Sequence, residues 1–158
     1  MHFPREKQKM ANALSNHYED AVLDHLFRRE TDGTARDTLT QPGTDSVSGI
    51  YVALFYGTTS AVATNLEAGT LTDEITTGGY ARTLVSFSAA SSGTISNDNV
   101  VTFPAATGSY DGTVTALAVM DAATGGNPIA YGNLTVAKTV TTGDTFQIAA
   151  TNLNITLS

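Results

Sequence analysis

The chain has 158 residues and a formal net charge of −7, from eight basic and fifteen acidic side chains. Its length fits one domain, and the absence of cysteine excludes disulfides and thiolate metal sites. The net charge lies entirely in residues 37–158, which hold nine carboxylates and two cations. Because such an acidic body repels phosphate, we expect no direct binding to nucleic acid.

Residues 1–9 form a basic and aromatic tail without the apolar region of a secretion signal. Three interpretations are open: a solvated tail, a peptide that orders on a partner's surface, or an extension upstream of the true start, since Met10 is a plausible initiator. No apolar run in the chain reaches the length of a membrane-spanning helix. We therefore expect no membrane contact.

The first predicted element is an amphipathic helix over residues 16–29. Asn16 and Glu19 have the spacing of a capping box, and the early acidic and late basic residues suit the helix dipole. A polar loop over residues 31–49 follows. The apolar stripe of the helix, at helical spacing, consists of Tyr18, Val22, Leu23, Leu26 and Phe27.

The remaining sequence alternates short apolar runs with turn residues, a pattern typical of antiparallel β structure. The run at residues 50–56 is densely apolar and is expected to be buried on both faces. Residues 57–79 are predicted to be a long polar loop, and no helix is expected after residue 31. The predicted strands are 50–56, 82–87, 94–96, 100–103, 114–120, 129–136, 145–150 and 153–157.

The pattern indicates an all-β fold: an antiparallel β-sandwich or jelly roll of about seven or eight strands with one N-terminal α-helix. We expect two parts along the chain. Residues 1–36 form an arm and amphipathic helix, and residues 37–158 form the β-sandwich body.

Catalytic groups are scarce in the body. It holds no histidine and no cysteine, so a serine nucleophile would need His2, His17 or His25 as its base. Carboxylate pairs can hydrolyse glycosides, and Asp73, Glu74, Asp111 and Asp121 are the candidates. Tryptophan is absent and aromatic residues make up 8% of the chain, which leaves little to form a sugar cleft. We expect no enzymatic activity.

Metal ligation is equally weakly supported. His17, Asp20 and Asp24 share one side of the predicted helix, a placement more typical of a solvated face. Asp32 with Asp37, and the run 97–99, could offer oxygen ligands for calcium. Neither follows the EF-hand order, and Asx-turn chemistry explains both more simply. We expect no metal and no cofactor.

Several blocks, in order along the chain, carry a family resemblance. They include Gly78-Gly79-Tyr80-Ala81-Arg82 and the segments 10–19, 23–26, 51–55, 101–104, 121–127, 138–140 and 143–144. Together they resemble small virion structural proteins of tailed bacteriophages, which are often labelled tail fibre proteins. Some of these resemble jelly-roll cement proteins that decorate the capsid. The likeness covers roughly residues 10–158.

The resemblance implies a capsid cement or decoration protein that binds the major capsid protein, stabilises the head and forms a homodimer or homotrimer. It would lie on the capsid surface of the virion after assembly in the host cytoplasm. The alternative is a tail, baseplate or fibre component that binds a host receptor or glycan. The predicted partner contacts are Phe3, Arg5, Lys7, Lys9, Tyr18, Val22, Leu26, Arg28 and Arg29.

Overall fold

The computed structural model describes Leu23 and residues 49–156. All strand pairs in this part of the chain are antiparallel, and the predicted all-β sandwich is confirmed. The elements are β1 (Ile50–Tyr56), α1 (Thr59–Glu67), β2 (Thr83–Val85), β3 (Thr94–Ser96), β4 (Val101–Thr102), β5 (Val114–Met120), β6 (Pro128–Lys138), β7 (Gln147–Ile148) and β8 (Asn154–Thr156).

The main sheet has four strands in the order β2-β1-β5-β6. Two two-stranded ribbons, β3–β8 and β4–β7, complete the β structure of the described residues. Each ribbon pairs strands that are far apart in sequence, so the C-terminal third of the chain returns to pack beside its middle. This places β6 at one edge of the main sheet, with β5 as its hydrogen-bonded neighbour.

The central strands β1 and β5 are buried on both faces, as predicted for β1 from the apolar run 50–56. On one face, Val52, Leu54 and Val119 join the large core that contains the inward residues of both ribbons. On the opposite face, Ala53 and Phe55 pack with α1. The alternation of side chains along a strand explains why one apolar run supplies two cores.

Helix α1 contradicts the prediction of a polar loop over residues 57–79 with no helix. Only Val62 and Leu66 of this helix are buried, four residues apart on one side. Its N-cap residue, Thr58, makes no side-chain cap hydrogen bond, and its first turn has no acidic residue. Threonine is a favoured N-cap residue type, but here it makes no cap bond, so contact with the sheet rather than local propensity stabilises this short helix.

The helix predicted over residues 16–29 lies outside the described residues except at Leu23, which is helical and fully buried in the large core. The predicted boundary between residues 36 and 37 also lies outside them. Among the described residues, no helix is long and apolar enough to cross a membrane.

Candidate binding groove

A buried ion pair links the connection between α1 and β2 to the connection between β5 and β6. Arg82 donates from Nε and Nη2 to the two carboxylate oxygens of Glu74, each at 2.7 Å, and the two side chains are 4% and 14% exposed. Its Nη1 donates to the carbonyl oxygens of Ala122 at 2.8 Å and Gly125 at 2.6 Å. Two of the sequence blocks behind the family resemblance, 78–82 and 121–127, therefore meet at one guanidinium group.

Tyr80 extends this network into the core. Its hydroxyl donates to Glu74 at 3.1 Å and accepts from the Leu54 backbone N–H at 3.0 Å, while its ring stacks on Phe103. Burial raises the pKa of Tyr80 far above its usual range, and the hydrogen bond to Glu74 raises the pKa of Arg82. Both groups keep their protons, as members of a fixed structural network should.

The carboxylates considered for glycoside hydrolysis each hold a loop in place. Asp73 accepts from the Asn65 side chain at 2.6 Å. Asp111 accepts from the backbone and hydroxyl of Thr76 at 2.9 and 2.7 Å. Asp121 accepts from the backbone and side chain of Asn127 at 2.6 and 3.1 Å. Neither cavity described below is lined by Asp73, Glu74, Asp111 or Asp121.

Asn97, one of the residues considered for calcium, is a buried structural hub. Its side-chain oxygen accepts from the Leu153 N–H at 2.8 Å. Its side-chain nitrogen donates to the carbonyl oxygens of Asn99 at 2.7 Å and Ala149 at 3.0 Å. Its side-chain amide therefore bonds to backbone groups of its own turn and of the 149–153 turn. Among the described residues, no three His, Cys, Asp or Glu side chains come together as a metal site.

The turn that Asn97 holds is strained. Thr151 has φ +66°, a left-handed conformation that is a genuine outlier for a β-branched residue. Its N–H donates to the Asn97 carbonyl oxygen at 2.9 Å, and its own carbonyl oxygen accepts from Asn154 at 3.2 Å. These hydrogen bonds hold the turn in its strained conformation, and strained backbone persists in a folded protein when surrounding contacts stabilise it in this way.

Next to Thr151, Asn152 lies where two open cavities meet. The first cavity, of about 1030 Å³, runs along β6 and β8. The second, of about 730 Å³, runs along β6 and β7. Both are lined by Asn152 and by three residues of the sheet, so they form one continuous depression between the edge strand and the ribbons, here called the β6 groove. The shared sheet residues are Leu117, Leu134 and Thr135.

A bulge in β6 shapes the middle of this groove. The pairing with β5 steps from Ala116 opposite Asn133 to Val114 opposite Lys138, so residues 134–137 face a single residue of β5. The bulge leaves Thr135 and Val136 exposed. Bulges next to binding sites commonly redirect side chains in this way.

Several polar side chains of the β6 groove form no hydrogen bonds within the described part of the chain. Among the described residues, the side-chain amides of Asn133 and Asn152 and the side-chain hydroxyl of Thr135 have no hydrogen-bond partner, while the backbone N–H of Asn152 donates to the Ala149 carbonyl oxygen at 3.2 Å. Glu67 and Tyr131 also line the first cavity; Glu67 accepts from the Tyr131 hydroxyl at 2.6 Å, and this bond raises the pKa of Tyr131. The groove thus combines an apolar floor with unused amide and hydroxyl groups.

The sequence predicted the strand at 129–136 but not its place at an edge, so the groove was missed. The only local signal was polar residues Asn133 and Thr135 within an otherwise apolar run. The predicted partner contacts lie outside the described residues and stay predictions: Phe3, Arg5, Lys7, Lys9, Tyr18, Val22, Leu26, Arg28 and Arg29.

The model of a family described as podophage GP4 fiber I protein gp80 matches residues 13–156, which include every strand described above. No curated protein matches the chain.

Proposed function

Because the chain belongs to the podophage GP4 fiber I protein gp80 family, and is thus a phage virion structural protein, we propose that it serves as a fibre component that binds a host receptor or glycan. The observation that carries this proposal is the extent of the match, which covers the whole described body. The competing proposal is the capsid decoration role that the sequence resemblance implies, which would place the protein on the head of the virion.

The internal contacts of the body support a role without chemistry. The carboxylates of Glu74, Asp111 and Asp121 are occupied by loop contacts, and the body has no histidine or cysteine. A fibre component needs a rigid body that presents a surface. The Arg82 network supplies rigidity because it ties two loops together and, through Tyr80, to β1. We propose that the protein is not an enzyme and that copies of it associate with one another in the fibre.

Location in the virion separates the two roles. Antibody raised against residues 49–156 and coupled to gold should label intact particles at the tail vertex only. Label spread over the whole head would instead support the decoration role and contradict the fibre proposal. A matched preparation lacking the gene product provides the background for non-specific label.

Activity is tested separately on the host's own surface polysaccharide. Purified protein should leave the size distribution of the polysaccharide unchanged over a long incubation. Depolymerisation that survives repurification would refute the non-enzymatic proposal. The triple variant Asp73→Asn, Glu74→Gln, Asp111→Asn would then show whether those carboxylates are responsible.

A further inference from the structure

The first cavity of the β6 groove is an open section of the large core. Eight apolar residues of the described chain are only partly buried against that core, and five of them lie in the lining of this cavity. The apolar face of a sheet has to be buried against another element, so this concentration along one side of the core indicates that an element packs there. The five residues are Leu117, Ile129, Ala130, Leu134 and Ile155.

Leu23 identifies the element. It is helical and fully buried in the large core, and it also lines the first cavity. It is the described residue of the helix that the sequence predicts over residues 16–29, and it belongs to the apolar stripe of that helix. Residues three and four positions apart share one side of a helix, so Leu26 and Phe27 continue the apolar side that Leu23 begins.

The first cavity has the length and the room for this helix. Along β6 its lining covers residues 128–135, which span about 26 Å at 3.3 Å per residue, and a helix over residues 16–29 spans about 21 Å. Gly132 lies within this lining, its backbone is not left-handed, and a Cβ atom placed on it would meet no described heavy atom beyond its chain neighbours within 4 Å. A glycine inside a strand often marks the close approach of another backbone.

The charges of the cavity and of the helix are compatible. Glu67 is the only charged side chain among the described residues that line the first cavity. The helix carries its acidic residues in its first half and ends in Arg28 and Arg29. A helix whose basic end lies towards Glu67 therefore brings opposite charges together and keeps like charges apart.

The connection to the body permits docking within one chain. Residues 30–48 join the helix to the described body, and a segment of this length reaches up to about 60 Å when extended. A tethered segment has an effective concentration of about millimolar at its site. The helix of the same chain therefore has an advantage over the helix of a second copy.

We propose that the amphipathic helix over residues 16–29 docks in the first cavity of its own chain, with Leu23, Leu26 and Phe27 on the apolar lining, and completes the large core. The inference goes beyond the proposed function and does not depend on it, because the contacts lie within one chain. It assigns Leu26 to an internal contact, whereas the sequence analysis predicted a contact with a partner.

Single-cysteine labelling of the full chain tests the docking, because the chain has no cysteine of its own. Ile129→Cys and Ile155→Cys place the label on two sides of the first cavity. Val136→Cys is the control, since Val136 is 62% exposed and lies outside that lining. Reaction with a maleimide should be at least tenfold slower at the two cavity positions than at the control position.

A charge placed on the apolar side of the helix should open the cavity. Adding Leu26→Asp should speed labelling at Ile129→Cys and Ile155→Cys at least tenfold, because a carboxylate is not tolerated on an apolar lining. The matched control is Ala21→Asp, which adds the same charge about 200° around the helix from Leu23 and should change the rates less than about twofold. Circular dichroism checks that the strands stay folded, and if Leu26→Asp unfolds them, Leu26→Ala should still speed labelling about threefold.

Three results would overturn the inference. The first is labelling at the cavity positions as fast as at Val136→Cys. The second is an equal effect of Leu26→Asp and Ala21→Asp, because the side of the helix would then not matter. The third is protection that disappears on dilution together with a fall in the molecular mass in solution, because a second copy would then supply the cover.

Discussion

Replacing Arg82 by methionine should be among the most damaging single changes in the body. The substitution removes two hydrogen bonds to Glu74 and two to the carbonyl oxygens of Ala122 and Gly125. It leaves a carboxylate that is only 14% exposed, with Tyr80 as its remaining described partner. Breaking a buried pair by removing one ion typically costs about 3–5 kcal/mol, because the other charge stays buried.

The expected cost is large against the total stability. Domains of this size unfold with free energies of about 5–15 kcal/mol, so the loss of about 3–5 kcal/mol expected for Arg82→Met is at least about a fifth of the free energy of unfolding. Replacing both ions, as Arg82→Met with Glu74→Leu, should cost less than Arg82→Met alone, since no charge is then left unpaired. The double-mutant cycle reports the coupling between the two side chains.

Urea unfolding followed by circular dichroism measures these free energies. A loss below about 1 kcal/mol for Arg82→Met, the value of a surface ion pair, would refute the reasoning. So would a double variant less stable than Arg82→Met, because the cost would then come from lost contacts and not from a stranded carboxylate.

Two further predictions concern strained or charged turns. Thr151→Gly should raise the free energy of unfolding by up to about 1 kcal/mol, because the left-handed penalty of about 1–2 kcal/mol exceeds the backbone entropy cost of glycine; destabilisation in the same urea assay would show that Thr151 is not strained. The Asp144 carboxylate accepts from the backbone and hydroxyl of Thr141, both at 2.8 Å, and these bonds lower its pKa below the ordinary 3.8. Its stabilising effect is therefore complete above pH 3.8 and is lost as the pH falls through the lowered value. Melting temperatures of Asp144→Asn and the unaltered chain should converge over that acidic range, and a constant difference would contradict the assignment.

The strands of the body could be predicted because their signals are local. The runs 50–56, 94–96 and 114–120 have the bounds that the structure shows for β1, β3 and β5. Dense β-branched and apolar residues between turn formers leave few alternatives to a strand. The same pattern also indicated burial of β1 on both faces, since a strand with no polar alternation has no side for solvent.

Helix α1 could not be predicted for a physical reason. Seven of its nine residues are polar or small and only Val62 and Leu66 are buried, so its pattern is that of a surface loop. Short helices are marginal in water, and the face of β1 and β5 that it covers is assembled from distant parts of the chain. The stabilising contact exists only after the sheet has formed.

The residues of the candidate site could also be predicted only in part. The sequence analysis singled out Glu74, Arg82 and the segment 121–127. It did not predict that they form one buried network, because the groups that Arg82 contacts are eight to forty-three residues away along the chain. The β6 groove could not be predicted from the sequence, because Asn133 lies on β6 while Asn152 lies in the strained turn between β7 and β8.

By itself, the amino-acid sequence determined the class of this protein: an acidic β body without cysteine or histidine, patterned into short antiparallel strands. These properties depend on composition and on neighbouring residues. Only the tertiary structure decided that β6 lies at an edge, that Asn97 holds Thr151 in a left-handed turn, and that Asn152 therefore lies between two cavities. Those features depend on which strands pair across long stretches of chain, and pairing is decided by the packing of the whole core.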